Sequence, residues 1–326
     1  MKDRILKVLV EHQDEYVSGE ELSRILGITR AGIWKHIENL RLEGYIIESQ
    51  TRLGHKLIHG PLNPYILSKG LGTENIGCNF IVRQQLDSTN NLAKELAKSG
   101  VVNGTVIVAE EQLGGKGRQG RNWVSPKGGI WLSVVLRPQI ELKDAACYTL
   151  LTGVAAARGL RDAAGIEVGI KWPNDLLFND KKIGGILTEV QGEWQAVDYL
   201  VIGIGINANI TAEHLLPGLN ATSVLIEKNR EIHLVRVIQA ILSHFERLEK
   251  LLQTKGFSAV LEEWRELAVC LNCEVLVKDH SGEWNADSID ISPDGSLLVR
   301  KEDGQVTKIY SADVSLRGRE GDYNFT

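Results

Sequence analysis

The loop that decides between fold classes reads Gly114-Gly115-Lys116-Gly117-Arg118-Gln119-Gly120-Arg121-Asn122-Trp123. Its glycines satisfy the formal pattern G-x-G-x-x-G, which in a dinucleotide-binding fold lies between a strand and the N-terminus of a helix. No helix can begin here, because Pro126, Gly128 and Gly129 follow at once and lead into a strand-like run. The P-loop string G-x-x-x-x-G-K-[ST] does not occur. The sequence therefore excludes both common nucleotide folds for this loop.

The same loop is nevertheless well suited to an anionic ligand. It carries three cations, Lys116, Arg118 and Arg121, and such side chains neutralise phosphate and carboxylate groups. Its glycines allow close approach of the backbone and positive φ angles. We interpret it as a flexible loop that folds over a nucleotide phosphate, with a solvated basic surface loop as the alternative.

Helical and strand-like segments alternate around this loop, from about residue 65 to residue 267. Apolar spacing predicts helices over 88–98, 143–164 and 235–253, and strands over 105–109, 130–136, 183–190 and 199–206. The pattern is typical of a mixed α/β domain of catalytic size, and it makes the whole chain an α+β protein.

Two further strings in this domain carry polar residues at turns. In Lys171-Trp172-Pro173-Asn174-Asp175 the Trp-Pro pair predicts a rigid turn. Asn174 and Asp175 then offer oxygen ligands that suit Mg²⁺, although a purely structural Asx-turn is an equal alternative. In Lys182-Ile183-Gly184-Gly185-Ile186-Leu187 a lysine opens a strand whose paired glycines indicate close approach by a ligand or another backbone.

The first 60 residues predict a winged helix-turn-helix. Apolar stripes indicate three helices, and Ser18 and Thr29 stand where N-caps of the second and third are expected. A three-residue turn at 27–29 separates those two helices, and two short strands joined near Leu53-Gly54 follow. This order is that of a DNA-binding module. Its candidate DNA contacts lie at the start and on the outer face of the third helix, at Thr29, Arg30, Trp34 and Lys35.

Short strands separated by turns follow residue 267, over 274–278, 297–300 and 307–310, and predict a small SH3-like β-barrel. We expect three domains, 1–62 for DNA binding, 63–267 for catalysis and 268–326 for the barrel. The 326 residues are enough for this division. A net charge of −5 means that any DNA contact must come from a local basic patch. No apolar run approaches the roughly 18 to 20 residues of a membrane span, so we expect a cytoplasmic protein without membrane contact.

Taken together and in this order, the strings resemble those of biotin protein ligases of the bifunctional ligase/repressor type found in bacteria. The resemblance covers essentially the whole chain. The matching residues are Ser88-Thr89-Asn90, Gln112, the loop 115–123, Lys171–Asp175, Lys182–Leu187 and Gly203–Asn207. One position departs from the family loop G-R-G-R-x-G-R, because Lys116 replaces its first arginine and loses the bidentate fork. The missing fork bears on how firmly the loop closes and retains the adenylate.

The resemblance implies a role for each matched residue. Arg118 and Lys182 are the implied catalytic residues. Implied biotin contacts are Ser88, Thr89, Asn90, Gln112, Lys116, Gly117, Arg118 and Lys182. The residues implied on the ATP and adenylate side are Gly115, Lys116, Arg118, Arg121, Trp123, Asn174 and Asn207, with Asp175 as a Mg²⁺ ligand.

The implied activity has two half-reactions. ATP and biotin form biotinyl-5′-AMP, and biotin is then transferred to a lysine of a biotin carboxyl carrier protein. The resemblance also implies a repressor, in which the adenylate acts as co-repressor and the loaded homodimer binds operator DNA. Three alternatives stay open at this point: a lipoate or octanoate ligase, a biotin-sensing regulator without catalysis, and a ligase whose winged helix no longer represses.

Overall fold

The computed structural model describes residues 1–12, 15–193, 196–215, 218, 220–279, 282–310 and 312–316. The chain divides into two compact units, Met1–Gly70 and Leu71–Thr326. None of the helices in these described ranges combines the length and the apolar character needed to cross a membrane.

The first unit is a winged helix-turn-helix. Ser18 caps the second helix by accepting the Glu21 N–H at 3.0 Å, and Thr29 caps the third by accepting the Gly32 N–H at 3.2 Å. Gly27, at φ +68°, ends the second helix in the left-handed region that favours glycine. The elements are α1 (Lys2–Glu11), α2 (Gly19–Leu26), α3 (Arg30–Leu42), β1 (Ile46–Gln50), β2 (Gly54–His59) and α4 (Pro64–Ser68). The predicted cap positions and helix order are confirmed.

An apolar core holds the three helices of this unit together. Ile5, Leu9, Ile33 and Ile37 are almost completely buried within it. Ile25, an apolar residue of α2, is 45% exposed. Of the eight residues in α2, only Leu22 and Leu26 are buried, so the face that packs into the core is narrower than the apolar residues of the helix suggest.

A seven-stranded sheet forms the centre of the second unit, in the order β3-β4-β5-β9-β8-β7-β6. Only β3 and β4 pair in parallel, and the other neighbours are antiparallel. This mixed pairing agrees with the exclusion of a dinucleotide fold. The strands are β3 (Phe80–Leu86), β4 (Val106–Gln112), β5 (Ile130–Leu136), β6 (Gly169–Lys171), β7 (Asp175–Phe178), β8 (Lys181–Glu193) and β9 (Ala196–Ile206).

Five helices accompany this sheet. The long helix α6 is buried around most of its surface, and Gly159 lets α8 approach so closely that a Cβ there would meet the Ile241 backbone nitrogen at 2.7 Å. The helices are α5 (Thr89–Lys98), α6 (Ala145–Ala164), α7 (Val224–Lys228), α8 (Leu234–Lys255) and α9 (Phe257–Leu267). The three predicted helices are present, with ends shifted by one or two residues.

A second sheet follows in the same unit, with the antiparallel order β13-β12-β11-β10-β14. Its strands are β10 (Cys273–Asp279), β11 (Gly282–Ile291), β12 (Leu297–Lys301), β13 (Val306–Ile309) and β14 (Asp313–Leu316). Three of the five had been predicted. The SH3-like shape stays a prediction, as do the exact domain bounds.

Candidate active site

A cavity of about 230 Å³ opens in the second unit between the seven-stranded sheet, the glycine-rich loop and the C-terminal sheet. It brings together residues predicted from segments far apart in sequence. Those on its wall are Ser88, Thr89, Asn90, Gln112, Lys116, Gly117, Arg118, Arg121, Trp123, Asn174, Asp175, Lys182 and Asn207. Gly115 is buried, and its carbonyl accepts the Trp123 N–H at 2.9 Å.

Neutral polar residues line one side of the cavity, where α5 begins and β4 ends. Ser88 is the N-cap of α5, which places Thr89 and Asn90 in the first turn, and all three are buried. The Gln112 Oε1 atom accepts from the Thr89 backbone N–H at 2.8 Å and from its hydroxyl at 3.0 Å. Gln112 also donates to the Ser125 hydroxyl at 2.9 Å. These bonds hold the group in one arrangement, which suits recognition of a neutral polar ligand.

Two residues that sequence reasoning missed support this cluster. The fully buried Ser133 hydroxyl, on β5, lies 2.8 Å from Thr89 Oγ1 and 2.6 Å from Asn90 Oδ1. Glu189, on β8, accepts from Asn90 Nδ2 at 2.8 Å and pairs with Lys94 at 2.7 Å. The Asn90 amide is therefore oriented with its oxygen toward Ser133. A serine inside an apolar strand has no local motif that predicts this contact.

The basic loop forms hydrogen bonds both within itself and to residues around the cavity. The Gly117 N–H donates to the Arg121 carbonyl at 2.7 Å, and a 3-10 turn at Arg118–Gly120 is the only helical feature within it. Lys116 donates to Asn91 Oδ1 at 3.2 Å, and Arg118 donates to Asn174 Oδ1 at 3.2 Å. Two of its cations thus bond residues of the cavity or its rim.

Trp123 covers the glycines of the sheet. A Cβ at Gly205 would meet the indole nitrogen at 2.9 Å, and a Cβ at Gly185 would meet the ring at 3.5 Å. The Lys182 ammonium lies over the same ring, 5.1 Å from its centroid, within the range of a cation–π contact. The buried indole N–H has no hydrogen-bond partner among the described residues. Gly185 and Gly205, which pair across β8 and β9, therefore leave room for the Trp123 ring on the cavity wall. The same ring contacts Lys182.

Two buried residues, Lys171 and Asp175, and the partly exposed Lys182 form the charged floor of the cavity. Asp175 Oδ1 lies 2.7 Å from the Lys182 ammonium, and Asp175 Oδ2 lies 3.1 Å from that of Lys171. Burial acts to raise the pKa of Asp175, but Lys182 and then Lys171 outweigh it and hold that pKa well below its usual range. The carboxylate is therefore ionised.

This floor does not fit a protein-bound Mg²⁺. Each oxygen of Asp175 already faces an ammonium group, and two nearby positive charges oppose a third. The Asn174 amide donates its N–H to the Ile186 carbonyl at 2.9 Å and accepts from Arg118. In the part of the chain that the structure describes, no group of three His, Cys, Asp or Glu side chains could hold a metal ion.

Asn207 is predicted on the nucleotide side, and it also holds the cavity wall in place. It is buried and donates through Nδ2 to the Thr222 carbonyl at 3.0 Å. Its backbone N–H donates to the Ile183 carbonyl at 2.8 Å, next to Lys182.

The C-terminal sheet also contributes to the cavity, which no sequence motif indicated. Leu276, Lys278, Glu283, Val314 and Ser315 lie on its wall. Trp172 joins this sheet to the charged floor, since its buried indole donates to the Gly295 carbonyl at 3.0 Å. The site is thus built by both sheets of the second unit.

Comparison with known proteins identifies the family. The chain is 38% identical to the bifunctional ligase/repressor BirA of Bacillus spizizenii, over 97% of this chain and 98% of that protein. It is 31% identical to BirA of Escherichia coli K12, over 94% of each chain. The chain belongs to the BirA family of bifunctional ligase/repressors.

Family models and a solved structure agree with this membership. The biotin/lipoate A/B protein ligase family matches residues 82–207, an HTH domain matches 2–56, and the biotin protein ligase C-terminal domain matches 271–317. The biotin protein ligase of Aquifex aeolicus, solved with biotin and ATP, superposes with a TM-score of 0.63 at 29% identity, covering 74% of this chain and 99% of that one.

The HTH domain of this family member carries the four DNA-binding candidates. Thr29 is occupied as a helix cap, and Arg30 pairs with Glu20 at 2.6 Å. Trp34 is 61% exposed, and Lys35 next to it is exposed as well. All four residues are exposed at the start and along the outer face of α3, as contact with a DNA groove requires.

Proposed function

We propose that this chain forms biotinyl-5′-AMP from biotin and ATP and transfers biotin to a lysine of a biotin carboxyl carrier protein. One observation carries the proposal: a single cavity joins a neutral polar cluster to a cationic loop and a lysine-rich floor. Biotin has a neutral, hydrogen-bonding head and a carboxylate tail, and the two sides of the cavity match these two ends.

The first half-reaction joins the carboxylate to AMP. A carboxylate oxygen of biotin attacks the α-phosphorus of ATP, and the bond to the bridging oxygen of the β-phosphate breaks, releasing pyrophosphate. Ser88, Thr89 and Gln112 hold the ureido head. Arg118 and Lys182 stabilise the negative charge that develops on the phosphate oxygens.

The rest of the candidate set divides between the ligand's two ends. Asn90 and Gly117 complete the biotin side, and Lys116 lies between the two sides. Gly115, Arg121, Trp123, Asn174 and Asn207 belong to the nucleotide side. Mg²⁺ arrives bound to the phosphates of ATP, and the proposal gives no residue of this chain a metal contact.

The second half-reaction transfers biotin. The ε-amine of a carrier lysine attacks the carbonyl carbon of the adenylate, the bond to the phosphate oxygen breaks, and AMP leaves while the amine loses a proton. The enzyme acts by positioning and by charge stabilisation, without a covalent enzyme intermediate. The glycine-rich loop, closed over the adenylate, keeps water from the mixed anhydride.

We also propose that the adenylate-loaded protein forms a homodimer that binds operator DNA and represses transcription in the cytoplasm. The exposed side chains of α3 and the HTH domain support this second role. An adenylate that favours the dimer would couple biotin supply to DNA binding through linkage between two sites.

Biotin-dependent exchange between ATP and pyrophosphate tests the ligase. We expect exchange with biotin, none with lipoate or octanoate, and a loss on the order of a hundredfold in Arg118→Ala, which removes a cation from the cavity. Arg300→Ala is the matched control, because Arg300 is exposed on β12 and does not lie on the cavity wall. Exchange with lipoate would make the chain a lipoate-type ligase, and no exchange at all would favour a biotin-sensing regulator.

An operator titration with and without biotinyl-5′-AMP tests the repressor. We expect the adenylate to tighten DNA binding and to raise the dimer fraction in parallel. Equal affinity in both conditions would contradict the regulatory role and leave the ligase proposal intact.

A further inference from the structure

The charged floor of the cavity holds two lysines on one carboxylate. Lys171 and Asp175 are 5% and 8% exposed, and the Lys182 side chain is 17% exposed. The three residues carry a formal charge of +1, because one of the two positive charges is balanced by Asp175. Lys171 also lies on the cavity wall, and no role follows for it from the family resemblance.

The sheet itself fixes this trio. Lys171 ends β6 and pairs directly with Asp175, the first residue of β7, in antiparallel register. Lys182 follows at the start of β8, which pairs with β7. Three consecutive strands therefore bring the charges together, and the burial of Lys171 and Asp175 reduces the screening of their charges by water.

We infer that Lys171 is a positioning residue, which balances the charge of Asp175 and thereby leaves the charge of Lys182 to the ligand. On this reading Asp175 is a counterion for the two lysines and does not bind Mg²⁺. The inference rests on the proposed function, since the ligand it concerns is the carboxylate or phosphate that Lys182 would hold.

The formal charge of the floor distinguishes a lysine that balances Asp175 from one that only supports the fold. Without Lys171, the pair of Asp175 and Lys182 is neutral, and the floor offers an incoming anion no net positive charge. Without both Lys171 and Asp175, the charge of Lys182 is retained, and the formal charge of the floor returns to +1. The double substitution should therefore restore what the single one removes.

The affinity of biotinyl-5′-AMP, measured by calorimetry in EDTA, tests this reading without any metal. We expect Lys171→Met to weaken binding at least tenfold, and Lys171→Met combined with Asp175→Asn to bind within about threefold of the native protein. Lys171→Arg keeps the charge and should also bind within about threefold. Thermal unfolding of each variant reports whether it folds, and the Met and Arg variants decide the question of charge even if the double variant does not fold.

The Mg²⁺ dependence of the exchange reaction completes the test. In the double variant we expect the half-saturating Mg²⁺ concentration to stay within about twofold of native. A tenfold rise would make Asp175 a metal ligand and overturn the inference. It is also overturned if Lys171→Met binds like the native protein, or if a folded double variant binds as weakly as the single one. Native exchange with biotin is scored separately, so failure of the ligase proposal is distinguishable.

Discussion

The ligase cavity and the recognition helix α3 use polar residues in opposite ways. In the cavity, Thr89 and Asn90 are buried and bonded to Gln112, Ser133 and Glu189 before any ligand arrives. On α3, by contrast, the side chains proposed to contact DNA are exposed. The two surfaces belong to different compact units and obey different physical requirements.

The two ligands place different physical requirements on the residues that bind them. A small neutral head group makes few contacts, so each must be pre-positioned and its desolvation compensated. DNA presents a dense row of phosphates, so mobile, solvated cations supply most of the affinity. Substitutions in the cavity should therefore change chemistry strongly, and substitutions on α3 should change DNA binding with little effect on folding.

The largest expected effect comes from the floor of the cavity. Lys182→Met should lower the rate of biotin-dependent exchange by about 10² to 10³, because it removes the cation beside the reacting groups. Lys181→Met is the matched control, since the neighbouring lysine is half-exposed and pairs with Glu227 at 3.4 Å. Equal losses in the two variants would show that the effect is not specific to the cavity.

A smaller effect is expected from the support of the polar cluster. Ser133→Ala leaves the buried oxygens of Thr89 and Asn90 without this donor, at a cost of about 1 to 3 kcal/mol. We expect the KM for biotin to rise about tenfold to a hundredfold, with the KM for ATP within about twofold of native. The control is Ser288→Ala, whose buried hydroxyl has no bond among the described residues. A rise in both KM values would indicate general damage to the site.

The buried Glu249 lies neither on the cavity wall nor on α3, so a substitution there tests the effect of burial alone. Burial first, and then the carboxylate of Glu246, raise the pKa of Glu249 to about 7, above its ordinary value of 4.5. The folded state therefore favours the neutral form of Glu249. The free energy of unfolding falls as the pH rises from 4.5 to about 7, because the unfolded chain ionises this carboxyl first. Glu249→Gln should raise the free energy of unfolding by about 3 kcal/mol at pH 8 relative to native, and change it little near pH 4. Equal differences at both pH values would contradict this assignment.

The smallest effect on the fold is expected on α3. Trp34→Ala should weaken operator binding on the order of tenfold while the exchange rate stays unchanged. The free energy of unfolding should change by less than about 0.5 kcal/mol, because the side chain is exposed. Leu42→Ala, also exposed on α3, serves as the control. A large loss of stability in Trp34→Ala would mean that the residue supports the unit.

Much of the secondary structure could be predicted from patterns of neighbouring residues. The caps at Ser18 and Thr29 and the strand β5 are where the sequence indicates them, because each depends on neighbours within a few residues. The missed strand β11 reads Glu283-Trp284-Asn285-Ala286-Asp287-Ser288, whose polar residues hide its alternating buried positions. Strand order in both sheets required the folded chain.

The family resemblance implied the main candidates for the cavity. The amino-acid pattern alone established the classes of the elements and the exclusion of a dinucleotide fold. It could do so because caps, turns and glycine-rich loops are set by local sterics and hydrogen bonding. The folded chain was needed to show that Ser133 and Glu189 support Asn90, that the C-terminal sheet lines the cavity, and that Asp175 faces two lysines. These contacts join residues distant in sequence, and their energies depend on burial, which no local pattern records.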